Sequence, residues 1–131
     1  MSPGMAPRAR RSPRPSLPLS LEPQHFKMLR SALRATELLP QDDYAWQQVA
    51  IANSKLDRDE EAATAGRTAI RLNPQNAIAT AGLALVLHEL GDPTWKELIV
   101  RALELMPSLG ENAELAALRD RVKATAKPAD P

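Results

Sequence analysis

Two histidines, His25 and His88, are the side chains of this 131-residue chain best suited to proton transfer near neutral pH. Sixty-three residues separate them, and neither has a second histidine at helical spacing, so no paired imidazole site is expected. His88 is followed by Glu89, but adjacent residues on a helix diverge, which makes this a surface or groove-lining pair rather than acid–base machinery. The acidic run Asp57, Asp59, Glu60, Glu61 is the nearest approach to a metal-ligand cluster. It opens a predicted helix, where carboxylates are favoured by the positive end of the dipole, and capping accounts for it. Ser108-Leu109-Gly110 lacks the nucleophile-elbow pattern, and no glycine-rich phosphate loop occurs. The absence of cysteine excludes disulfides, thiolate metal sites and a cysteine nucleophile. These residues predict no enzyme activity, no cofactor and no metal.

Composition narrows the class further. With 44% hydrophobic and 25% charged residues the chain reads as a globular domain, and no apolar run approaches the roughly 18 to 20 residues of a membrane span. A cytoplasmic location is expected. The formal net charge of +1 is unevenly spread: Arg8, Arg10, Arg11 and Arg14 all precede the first acidic residue, Glu22. From Leu21 onward 13 basic residues face 16 acidic ones, so the folding part carries no field suited to nucleic acid. Residues 1–20 hold Pro3, Pro7, Pro13, Pro15 and Pro18 and bury too little apolar surface to offset ordering, which predicts a disordered tail. They show no apolar secretory core. They are a solvated tail, an over-extended start upstream of Met5, or a basic segment presented to an anionic surface. The Ala-, Arg-, Leu- and Pro-rich usage suggests a GC-rich bacterial source.

The elements that would position any site are helices. After Pro23, apolar residues recur at three- and four-residue spacing, and prolines retreat to Pro40, Pro74, Pro93, Pro107 and the C-terminal end. Phe26, Leu29, Ala32 and Leu33 form the first stripe; Trp46, Val49, Ala50, Ile51 and Asn53 belong to the second helix, ending near Leu56. Asp57 with Glu60 suggests a capping-box start for the third, which ends near Asn73-Pro74. Asn76 opens the fourth, closed by Gly91 in a left-handed cap; Asp92-Pro93 starts the fifth, and the sixth begins after Ser108. No stretch alternates at period two. An all-α fold of six helices with two- to five-residue turns is expected.

The chain also repeats. Leu38-Leu39-Pro40, Leu72-Asn73-Pro74 and Leu105-Met106-Pro107 are spaced by 34 and 33 residues, and Ala35, Ala69 and Ala102 each stand five residues before the proline. With this period the chain resembles the tetratricopeptide repeat (TPR) family, whose unit is a helix-turn-helix of 34 residues. Stretch 43–76 supplies Trp46, Val49, Ala50, Ala62, Ala69 and Pro74 at matching positions; stretch 77–109 supplies Leu83, Ala84, Gly91, Asp92, Ala102 and Pro107 with one residue deleted. Asn53 and Gly66 depart from the pattern, standing where large aromatics usually sit, and Trp95 stands where the preceding unit has Ala62. Trp95 is expected to fill the space they leave. The resemblance implies a TPR-like α-solenoid over 21–126: a half repeat at 23–42, two full repeats, a capping helix at 110–126, and disordered residues 127–131.

The resemblance further implies a protein-binding module, in which the first helices of successive units line a concave groove for a peptide or helix. Carried over by position, the groove residues are Tyr44, Gln47, Ile51, Ser54 and Lys55, then Ile78, Ala81, Leu85, His88 and Glu89. Their centre is apolar, suiting an apolar or amphipathic ligand. The Lys and Asn clamp by which some family members hold acidic chaperone tails is missing, since Gln47 and Ile51 occupy those places. The same residues could instead be packed by neighbouring helices or by a second copy of the chain, so a homo-oligomer is the alternative.

Overall fold

The structure is a computed structural model that describes residues 23–126. The expectations for 1–20 and 127–131 fall outside the described residues. Within them the chain forms six α-helices and no strand: α1 (Gln24–Leu38), α2 (Asp43–Lys55), α3 (Asp59–Leu72), α4 (Ala77–Leu90), α5 (Trp95–Leu105) and α6 (Ala113–Ala126).

Three of the helices begin in the same way. Asp42 accepts a hydrogen bond from the Tyr44 amide (3.0 Å), Asn76 from the Ala79 amide (2.9 Å) and Asn112 from the Leu115 amide (3.1 Å), each satisfying a first-turn N–H of α2, α4 or α6. Asp92 likewise accepts from the Thr94 amide at 2.9 Å, although regular helix starts only at Trp95. Two starts differ from the sequence reading. Asp57 does not cap α3; at φ 61° it takes the left-handed conformation that closes α2, with Arg58 N–H reaching Asn53 O (2.8 Å) and Asp57 N–H reaching Ser54 O (3.1 Å). Gly91, 34 residues later, closes α4 at φ 80° in the same manner, with Asp92 N–H on Leu87 O at 2.9 Å. The second difference is α6. Pro107–Glu111 winds into a 3₁₀ turn, so the helix begins after Asn112 and the connection is longer than expected.

Each helix packs on the next in sequence, and α2 also meets α4 directly. Two apolar cores result. The larger joins α3 to α6 through Leu83, Val86, Leu87, Trp95, Ile99, Leu115 and Leu118 with five alanines. The smaller joins α1, α2 and α3 through Leu29, Ala32, Val49, Ala52 and Ala65. Trp95 does not fill the space left by Gly66 and Asn53. A Cβ on Gly66 would stand 3.5 Å from Leu83, so α4 covers the glycine, and buried Asn53 turns its amide onto its own helix, donating to Val49 O at 3.1 Å. Trp95 instead faces α4 and α6.

Candidate functional site

Six of the ten carried-over groove residues converge. Gln47, Ile51, Ser54 and Lys55 of α2 and Ile78 and Leu85 of α4 line one groove of about 230 Å3. Spacings of three and four residues place each set on one helix face. Small side chains keep the groove open: Ala50, Ala79 and Gly82 lie among the larger ones, and a Cβ on Gly82 would meet nothing within 4 Å. Ile78 is 45% exposed, an apolar side chain offered to solvent at the groove's edge. Charges of opposite sign come from Lys55 and, unforeseen in the sequence, from Glu114 at the start of α6.

The other four lie elsewhere. Ala81 is 3% exposed and belongs to the larger core, because one residue back from Gly82 turns a helix by about 100° and out of the groove face. Tyr44, in the first turn of α2, is 61% exposed and outside the groove. His88 and Glu89 sit toward the far end of α4. The His88 ring meets Trp95 edge-on at 5.1 Å between centroids, and the Arg121 guanidinium lies 5.9 Å over the same indole. Arg121 Nη1 is 2.9 Å from His88 Nε2; a guanidinium only donates, so this nitrogen accepts. Contrary to the expected divergence, the Glu89 carboxylate comes within 3.9 Å of His88 Nδ1. The trio of His88, Trp95 and Arg121 thus clasps α4, α5 and α6 together.

A polar network fixes one end of the groove. Asn76 Nδ2 donates to Asp43 Oδ2 (2.7 Å) and to Gln47 Oε1 (2.8 Å), and Asn73 Nδ2 donates to Asp43 Oδ2 (3.2 Å). Asn76 therefore caps α4 with its oxygen while holding α2 with its nitrogen. Gln47 is buried, and its carbonyl is committed to the scaffold rather than to a ligand.

The two aspartates at the starts of α3 and α5 titrate in opposite directions. Burial, reinforced by the Asp57 and Glu89 carboxylates, raises Asp59 above the ordinary carboxyl range. Hydrogen bonds from Thr94, with help from Arg67, lower Asp92 below it. Among the described residues no group of three or more His, Cys, Asp or Glu side chains is placed to hold a metal ion. None of the described helices is long and apolar enough to cross a membrane.

Two further depressions share no lining residue with the groove. One, of about 480 Å3, lies between α1, α2 and α3; the other, of about 280 Å3, lies between α5 and α6 around Val100, Leu103 and Val122. No protein-family model matches this chain, and neither does any curated protein sequence.

Proposed function

We propose that this protein is a non-enzymatic binding module with a TPR-like arrangement of helix pairs, which grips an amphipathic helix or extended peptide of a partner protein between α2 and α4. The observation that carries the reading is the convergence of Gln47, Ile51, Ser54, Lys55, Ile78 and Leu85 on a groove whose middle is kept empty by Gly82. Supporting it are the 34-residue step between Asp57 and Gly91, which end α2 and α4, and the contact of those two helices across the intervening α3. Ile51, Ile78 and Leu85 would take the partner's apolar stripe. Lys55 and Glu114 would orient it through charges of opposite sign.

Affinity purification with mass spectrometry tests this on three chains: wild type, Leu85→Asp and Gly82→Phe. At Gly82 a Cβ would meet nothing within 4 Å, so the new side chain starts into the open space of the groove. The expected outcome is a partner captured by wild type and lost from both variants, while Gly82→Phe keeps the wild-type helicity and unfolding midpoint. Identical capture by all three would remove the groove from the function. A second copy of the chain is the competing occupant, and light scattering on wild type and Gly82→Phe reports it as a change from dimer to monomer.

A further inference from the structure

We infer that the depression between α1, α2 and α3 is a docking site for this chain's own segment Leu17–Leu21, running back along α1. At about 480 Å3 it is a cleft of the size that takes a small ligand or a few side chains. Leu33, Trp46, Val49 and Ala65 make its wall apolar, and Leu33 is left 44% exposed. Its rim carries two carboxylates, Glu60 and Glu61, against one guanidinium, Arg58.

The second unit shows how the chain closes the corresponding space by itself. Thirty-four residues after Val49 and Asn53 stand Leu83 and Leu87, both buried. Thirty-four residues after Leu33 and Arg58 stand Arg67 and Asp92, and their side chains approach to 3.9 Å across it. In the first unit the shorter side chains and the unmatched Leu33–Arg58 pair leave the space for something else.

What arrives there is the segment before Pro23. The Arg58 guanidinium lies 5.8 Å over the Phe26 ring, so one end of the cleft is about a turn of helix from the point where that segment joins α1. Leu17, Leu19 and Leu21 fall on one side of an extended chain, and Pro18 favours extended backbone at Leu17. Five extended residues span roughly 17 Å. That covers the roughly 15 Å that α1 rises between Pro23 and Leu33. A short tether supplies an effective concentration in the millimolar range, so modest intrinsic affinity suffices and a partner in solution must compete with it.

The chain has no cysteine, so Ser16→Cys gives the full-length protein one attachment point for a nitroxide. The expected result is that amide signals of Leu29, Leu33, Thr64 and Ala65 lose most of their intensity and regain it on reduction with ascorbate, while those of Leu115 and Leu118 keep theirs. Full intensity at all six would overturn the proposal. So would intensity loss in a mixture of nitroxide-bearing chains with isotope-labelled, cysteine-free chains, which would make a second copy the occupant. Two variants of the labelled chain complete the test. Replacing Leu17, Leu19 and Leu21 together by serine leaves α1 to α6 unaltered and should restore the signals. Ala65→Leu fills the cleft and should do the same, with α4 to α6 signals unmoved. Persistence of the loss in either variant refutes the assignment.

Discussion

Taken as a first and a second unit, the helix pairs α2–α3 and α4–α5 differ in how densely they are filled. In the second unit Leu87 and Ile99 are fully buried and Trp95 is wedged among α4, α5 and α6. In the first the matching interior holds Asn53, Gly66 and a string of alanines, and a 480 Å3 cleft opens beside it. The contrast separates two jobs that helix pairs perform. Dense packing supplies most of the free energy, because buried aliphatic area and close contact dominate stability. Sparse packing supplies room. Stability is therefore expected to be concentrated in the second unit, and open space in the first.

The largest expected effect tests that division. Leu87→Ala should cost about 3 to 5 kcal/mol, whereas Leu29→Ala, beside the open cleft, should cost about 2 kcal/mol, because a side chain next to an existing void leaves less new cavity behind. Urea unfolding of both variants checks it; equal losses would break the comparison. Next in size is Asn53→Leu, which gives the first unit the side-chain type of the second. A gain of about 1 to 2 kcal/mol is expected, with slower amide exchange confined to α1, α2 and α3. A loss of stability would show that the amide bond to Val49 O contributes more than burial would.

Smaller changes at the helix ends sharpen the same contrast. Asp57→Gly should add about 0.5 to 1 kcal/mol, since glycine takes a φ of 61° without steric cost, while Gly91→Ala should remove about 1 kcal/mol for the converse reason. Thermal unfolding of the pair reads both signs. The smallest effects belong to acid. Asp92 has a lowered pKa when folded, so its contribution is present above the ordinary carboxyl pKa and is lost as pH falls through the depressed value; wild type and Asp92→Ala should converge in stability there. Asp59 is raised, so its charge is a cost above its folded pKa. Asp59→Asn should be the more stable chain at neutral pH and lose that advantage in acid. Midpoints measured from neutral to acid pH check both signs.

Much of this architecture is legible in the residues. Proline and Asn/Asp punctuation locates α2 and α4 closely, because capping and chain breaking are local effects that survive any tertiary context. Helical spacing also brings six of the ten carried-over residues of α2 and α4 to one depression, since it decides which side chains share a face. Three features depend on information that spacing does not hold. Asp57 looks like an N-cap because aspartate serves both as a cap and as a left-handed residue, and only the path of the chain chooses. Ser108 looks like a helix start, but the 3₁₀ turn that takes up Pro107–Glu111 moves the start to Ala113 and brings Glu114 to the groove. His88 looks like groove lining until α5 and α6 are in place, because Trp95 and Arg121 draw it away over distances no periodicity encodes.

The Asn76 side chain, bonded at once to Asp43, Gln47 and its own helix, bears on selectivity. Bonds of 2.7 to 2.9 Å tolerate little sliding, and Asn76 ties the start of α4 to α2 through two of them while a third holds it to its own helix. The span between those helices consequently has one setting near that joint. If the groove between α2 and α4 takes a peptide as proposed, it would present a gap of fixed gauge there, and the thickness of the guest's side chains would decide fit more than any adjustment of the host.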